Sequence, residues 1–123
     1  MIIVHGTFPV KPELRDEALE MMTRMATASR AEVGCVSYEF YVGLTDPNTM
    51  LLFQEWESFE AMQGHFETDH MDEFVRVLPE LLAGEVATRR YEVKSSDDSA
   101  SQADISVDAK ETERPARSQK IIH

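Results

Sequence analysis

The chain carries a single cysteine, Cys35, in 123 residues, so no disulfide can close within it. It contains no apolar run approaching the ~20 residues that a membrane-spanning helix needs. No stretch has the short apolar core of a secretory leader. Together these absences give a reducing, cytoplasmic setting as the expectation. Basic residues are also scarce. Residues 1–94 hold 17 acids against 8 bases, and residues 95–123 hold 6 against 4, for a net charge of -11. Counterion release from a phosphate backbone requires Lys and Arg, so nucleic acid is not an expected partner, and anionic membrane surfaces are disfavoured by the same charge. There is no glycine-rich phosphate loop, no Cys-x-x-Cys pair and no nucleophile elbow. Cys35 has Glu32 and Glu39 nearby rather than a base, so it reads as a small buried hydrophobe and not as a reactive thiol.

What the chain does have is a clear alternation of periods. Met1 to Val10 reads as a strand, with Ile2, Val4, Gly6, Phe8 and Val10 on one face. Pro12 suits a first helical turn, and Glu13, Asp16 and Glu17 suit the positive end of its dipole. A 3.6-residue period then runs to about Ala31, placing Leu14, Ala18, Met22, Met25 and Ala26 on one stripe, with Gly34 as the stop. Core filling is the simplest use of Met21, Met22 and Met25. Cys35 to Gly43 alternates again and puts Val36, Tyr38, Phe40 and Val42 on one face. Thr45-Asp46-Pro47-Asn48 marks a turn. Thr49 to Glu57 is a third strand, apolar on both faces, which calls for cover on both. Ser58 caps a helix to about Glu67, Thr68-Asp69 interrupts it, and a second helical piece runs to Leu82. Val86 to Lys94 is a fourth strand.

This order, β-α-β-β-α-β, is that of an α+β ferredoxin-like fold: a four-stranded antiparallel sheet with helices on one face. The other face is left bare, so a homodimer packed sheet on sheet, a dimeric α+β barrel, is expected. The domain spans 1–94. Residues 95–123 form an acidic tail poor in large apolar side chains, expected to be disordered.

Among groups able to carry chemistry, the histidines stand out. His65 and His70 are five residues apart, about 140° around one continuous helix at 3.6 residues per turn. Paired metal ligands on a helix need spacing of three or four, so no metal site is expected unless the Thr68-Asp69 break realigns the rings. His5 lies mid-strand and reads as a packed or dimer-facing polar residue.

The segment from Phe53 to Met71 follows a longer pattern: Glu55, Trp56, Glu57 and Ser58, then Ala61 to His65, then Thr68 to His70. Upstream, Glu32, Gly34, Cys35 and Tyr38 form an E-x-G-C-x-x-Y pattern. In these features residues 1 to about 94 resemble the antibiotic biosynthesis monooxygenase family, in particular its quinol monooxygenase-like branch. The resemblance implies a dimeric barrel with a pocket between sheet and helices. It also implies oxidation of a small quinol or phenol with O₂ as co-substrate and no cofactor. His65 would be the base, and Tyr38, Trp56, His70, Phe40 and Phe74 would line or polarise the pocket. Haem-degrading relatives carry a second tryptophan where His65 stands and a ligand histidine near Val75; both are missing here. Two other readings remain on the same scaffold. One is an isomerase or processing enzyme for a polar metabolite of the autoinducer-sugar type, with an Arg89/Arg90 patch for an anion. The other is a non-enzymatic dimeric binding module.

Overall fold

The computed structural model describes residues 1–94; the tail expected at 95–123 lies outside the described residues. Strand β1 (Ile2–Pro9) is followed by a short 3-10 turn (Pro12–Leu14) and helix α1 (Arg15–Arg30). Strands β2 (Cys35–Val42) and β3 (Thr49–Trp56) come next, then α2 (Phe59–Phe66), α3 (Asp69–Leu81) and β4 (Ala87–Glu92). The strands form one antiparallel sheet in the order β2-β3-β1-β4. This is the ferredoxin-like arrangement expected from the sequence.

The strands' inner face and the helices enclose one core. β1 and the residue after it contribute Ile2, Phe8 and Val10, β3 contributes Met50, Leu52 and Trp56, and α1 contributes Ala18, Met21, Met22, Met25 and Ala26. The methionines are thus core side chains, as their helical spacing implies.

Strand β2 departs from strict alternation. Cys35 pairs with Trp56 and Ser37 with Glu55, so Val36 is the extra residue of a bulge. A bulge reverses the inside-outside phase of everything beyond it. Tyr38 is therefore buried while Val36 is 48% exposed, instead of sharing its face. The register then sets Tyr38 opposite Gln54, and both are buried.

Two side chains organise the helical segment that follows β3. The Ser58 hydroxyl accepts from Ala61 N at 3.1 Å and starts α2. The Thr68 hydroxyl accepts from Met71 N at 3.2 Å and starts α3. Thr68 Oγ1 also donates to the carbonyl of His65 at 2.7 Å. One residue thereby fastens the end of α2 to the beginning of α3 and fixes the angle between them.

The outer face of the sheet carries Tyr41, Leu51 and Tyr91, all exposed. His5 stacks on Tyr91 at 5.6 Å between ring centroids. Arg89 pairs in register with His5 and Arg90 with Val4. Consecutive strand residues point to opposite faces, so Arg89 and Arg90 do not form a joint cationic patch. Arg90 instead lies over the Phe59 ring at 5.7 Å.

Candidate functional site

Three chain segments meet behind the inner face of the sheet. The first is the turn that ends α1. Gly34 has φ 87°, which a side chain would strain, and a Cβ there would stand 2.5 Å from the Cβ of Ala61. Glycine at this position lets the turn close tightly against α2. It leaves Glu32 facing the helices, its side chain only 14% exposed. The second segment is the last turn of α2, which carries His65. The third is the first turn of α3, which carries His70.

The interruption at Thr68 brings the two histidines to one carboxylate. Glu32 Oε2 lies 2.7 Å from His65 Nδ1 and 2.6 Å from His70 Nε2. On a continuous helix the rings would diverge; with α2 ended and α3 restarted, their centroids are 5.9 Å apart.

His65 is fully buried. Its ring lies 4.8 Å from that of Trp56, 5.3 Å from Tyr38 and 5.7 Å from Phe66, centroid to centroid. Its Nε2 has no hydrogen-bond partner among the described residues. Burial pulls the His65 pKa below its ordinary 6.5; Glu32 opposes this through its hydrogen bond and its charge, and His70 adds to it. The imidazole is therefore neutral at neutral pH.

The surrounding groups are held in place. Trp56 Nε1 donates to Gln54 Oε1 at 2.7 Å, both residues buried. Burial pushes the Tyr38 phenol well above its usual range, so it is protonated. Burial, with Glu32 adding to it, also pushes the Cys35 thiol up, and its Sγ lies 3.6 Å from the Ser37 carbonyl. Arg30 pulls the other way, but burial and Glu32 outweigh it, so Cys35 is a packing thiol here.

The residues singled out from the sequence form one aromatic chain. Phe74 meets Phe40 at 6.2 Å, Phe40 meets Tyr38 at 6.0 Å, and Tyr38 meets both Trp56 and His65. His70 is not part of this chain's interior. It sits at the edge, sharing the Glu32 carboxylate with His65, its side chain 29% exposed. Phe40 has a second neighbour: it is one wall of a cleft of about 130 Å³ between α1 and the β2 edge, with Met22, Ala26, Arg30 and Met50. Arg30 Nη1 is tied to the Tyr38 carbonyl at 2.6 Å.

Glu32, His65 and His70 are also the three residues that could hold a metal ion among those described, their ligand atoms lying within 4.8 Å of one another. At 2.6–2.7 Å the carboxylate contacts are hydrogen-bond distances, and protons on the two nitrogens satisfy them. In the sequence Glu32 stands out only as an acid near Cys35 and as part of the E-x-G-C-x-x-Y pattern, and neither links it to the histidines. Gln54 gives no signal beyond being a polar residue at an inward strand position.

A ferredoxin-like sheet covered by split helices, with a buried histidine held by a carboxylate among aromatic rings, defines a small α+β protein with an internal polar site. Residues 1–77 match the model of the family described as antibiotic biosynthesis monooxygenase, and the chain belongs to that family. A Bacillus subtilis relative named "Putative monooxygenase YcnE" is 33% identical over 93 residues, covering 76% of this chain and 98% of its own. The uncharacterized protein sll1783 of Synechocystis is 36% identical over 92 residues. That alignment covers 75% of this chain but spans only 63% of the Synechocystis protein. The solved structure of Rv0793 from Mycobacterium tuberculosis superposes with a TM-score of 0.73 at 26% identity, covering 79% of this chain and 98% of the other. The family supports a general monooxygenase-like function. No helix among the described residues is long and apolar enough to cross a membrane.

Proposed function

We propose that the protein is a cofactor-independent monooxygenase that oxidises a small quinol or phenol with O₂, with His65 as the base. The observation that carries this reading is the buried, unpartnered Nε2 of a neutral imidazole set among Tyr38 and Trp56. A buried polar atom without a partner is costly and is commonly explained by a role.

The chemistry needs little machinery. Nε2 takes the phenolic proton, and the electron-rich phenolate is held in apolar surroundings beside O₂. The anion passes one electron to O₂, and the radical pair recombines at a ring carbon that bears hydrogen. The resulting hydroperoxide loses water, one oxygen atom staying on carbon as a carbonyl and the other leaving as H₂O. The proton taken by His65 returns to the departing oxygen. Substrate plus O₂ thus gives quinone plus water, and nothing else is consumed.

Phe40 provides the way in. It borders the open cleft beside α1 and also stacks edge-on against Tyr38. Rotation of these two rings would let an aromatic substrate take their place beside His65. The exposed outer face of the sheet, with Tyr41, Leu51 and Tyr91, fits a second copy of the chain, so the working form is a homodimer.

The test is O₂ consumption by metal-stripped protein with a panel of reduced quinols and phenols, wild type beside His65→Ala and His65→Gln. Uptake lost in folded variants supports the reading. No uptake with any substrate, or full activity in the variants, overturns it.

A further inference from the structure

A neutral imidazole carries one proton, and which nitrogen holds it decides whether it can act as a base toward a given side. In His65 the two nitrogens have different neighbours. Nδ1 lies 2.7 Å from Glu32 Oε2, while Nε2 is buried without a partner. A carboxylate has no proton to donate, so it is satisfied only by Nδ1–H. The lone pair then falls on Nε2. Had the carboxylate been absent, burial alone would not distinguish the two tautomers.

The carboxylate is itself fixed from two directions. Its backbone precedes Gly34, whose left-handed conformation sets the turn against Ala61. The same Oε2 accepts from Nε2 of His70 at 2.6 Å. His70 comes from α3, whose start is set by Thr68, and Thr68 also holds the carbonyl of His65. Glu32, His65 and His70 thus hang from three elements and converge on one oxygen.

We infer that Glu32 is the positioning residue of this site: it locks His65 in the Nδ1–H tautomer, braced by His70, and so keeps the Nε2 lone pair free for a substrate proton. The inference rests on the reading of His65 as the base. When Nε2 accepts a proton from the substrate oxygen, the ring becomes an imidazolium with both nitrogens protonated. Its new charge faces the Glu32 carboxylate across the existing hydrogen bond, so no group has to move as the charge develops. On the return step the Nε2 proton goes to the leaving oxygen, and the Nδ1–H bond to Glu32 is never broken.

The experiment uses the full chain labelled with ¹⁵N-histidine. Long-range ¹H–¹⁵N spectra distinguish protonated from bare ring nitrogens, and kcat and KM are measured alongside. Wild type is expected to show His65 protonated at Nδ1 and bare at Nε2. In Glu32→Gln the side-chain amide can donate to Nδ1, and the proton is expected to move to Nε2. With it kcat falls by about 100-fold or more, the scale of general-base catalysis, while KM changes little. Glu32→Asp is expected to restore part of kcat together with the wild-type tautomer. A wild-type spectrum with the proton on Nε2 overturns the inference whether or not any variant folds. So does Glu32→Gln with unchanged kcat, or with reduced kcat and an unchanged tautomer, which would make Glu32 merely structural. If wild type turns over no quinol or phenol, the monooxygenase reading falls, and the tautomers of wild type and Glu32→Gln alone decide the role of Glu32.

Discussion

Glu32 and His65 are separated by 33 residues in sequence and by 2.7 Å in space. The bond joins the end of the first helix to the end of the second across the core. Its consequences can be read in pH, in stability and in the response to particular substitutions.

The pH dependence has a definite sign. The folded-state pKa of His65 lies below 6.5, chiefly through burial. Between that lowered value and 6.5 the unfolded chain binds more protons than the folded one, so stability rises with pH. The contribution is complete above 6.5 and is lost as pH falls from 6.5 through the folded value. His5, also lowered by burial and by Arg89, adds in the same direction. Melting temperature should therefore drop below pH 6.5, and kcat/KM should fall on an acid limb centred below 6.5. An acid limb centred above 6.5 would contradict the assigned environment of His65.

Gly34→Ala should be severe. It places a Cβ at 2.5 Å from Ala61 and asks for φ 87° from a residue that resists it. Positive-φ strain alone costs on the order of 1–3 kcal/mol. Denaturant titration should register at least that loss. Gly64→Ala serves as the control, since a Cβ there meets nothing within 4 Å, and alanine favours a helix by roughly 1 kcal/mol over glycine.

Thr68→Ala removes a helix cap and the bond to the His65 carbonyl together. Loss of the cap costs about 1 kcal/mol, or roughly 4–8 °C in Tm for a domain of this size. Thr68→Ser keeps both hydrogen bonds and should retain most of the stability. The two variants are compared by calorimetry.

Removing metal should change nothing. Proton transfer to His65 and electron transfer to O₂ call for no metal ion, so O₂ uptake should be equal before and after exhaustive chelation. Activity that vanishes on chelation and returns with a divalent ion would transfer the chemistry to a metal on Glu32, His65 and His70.

Leu51→Asp puts a charge on the exposed outer face of the sheet. In sedimentation the wild type is expected as a dimer and the variant as a monomer at equal concentration. A monomeric wild type would refute the sheet-to-sheet pairing.

Much of the fold is legible in the sequence because its signals are local. Alternation in β1 and the methionine stripe of α1 need only the spacing of side chains. Ser58 is legible as a cap because its hydroxyl acts three residues away. The bulge at Val36 is not legible, since it depends on how β2 registers against β3. The site is half legible. His65, Tyr38 and Trp56 stand in a recognisable pattern and do come together. Treating the segment of His65 and His70 as one continuous helix sends the rings apart; they converge because the helix is broken. Glu32 escapes a sequence reading because its partners are 33 and 38 residues away, and no local rule connects them.

That break makes the spacing between two ring systems a matter of phase. Along an unbroken helix each residue advances the azimuth by about 100°, and no choice of side chain could have aimed His65 and His70 at one oxygen. Ending one helix and starting another resets the phase, and Thr68 fixes the new value. The joint is also the point where the site can be retuned. Adding or removing one residue between Phe66 and Asp69 would shift that phase, and because His70 and the core residue Phe74 lie four apart on the same helix, the ring could leave Glu32 only if α3 turned its core side chains with it. The packing of Phe74, Leu78 and Leu81 therefore guards the aim of His70 as firmly as the joint itself does.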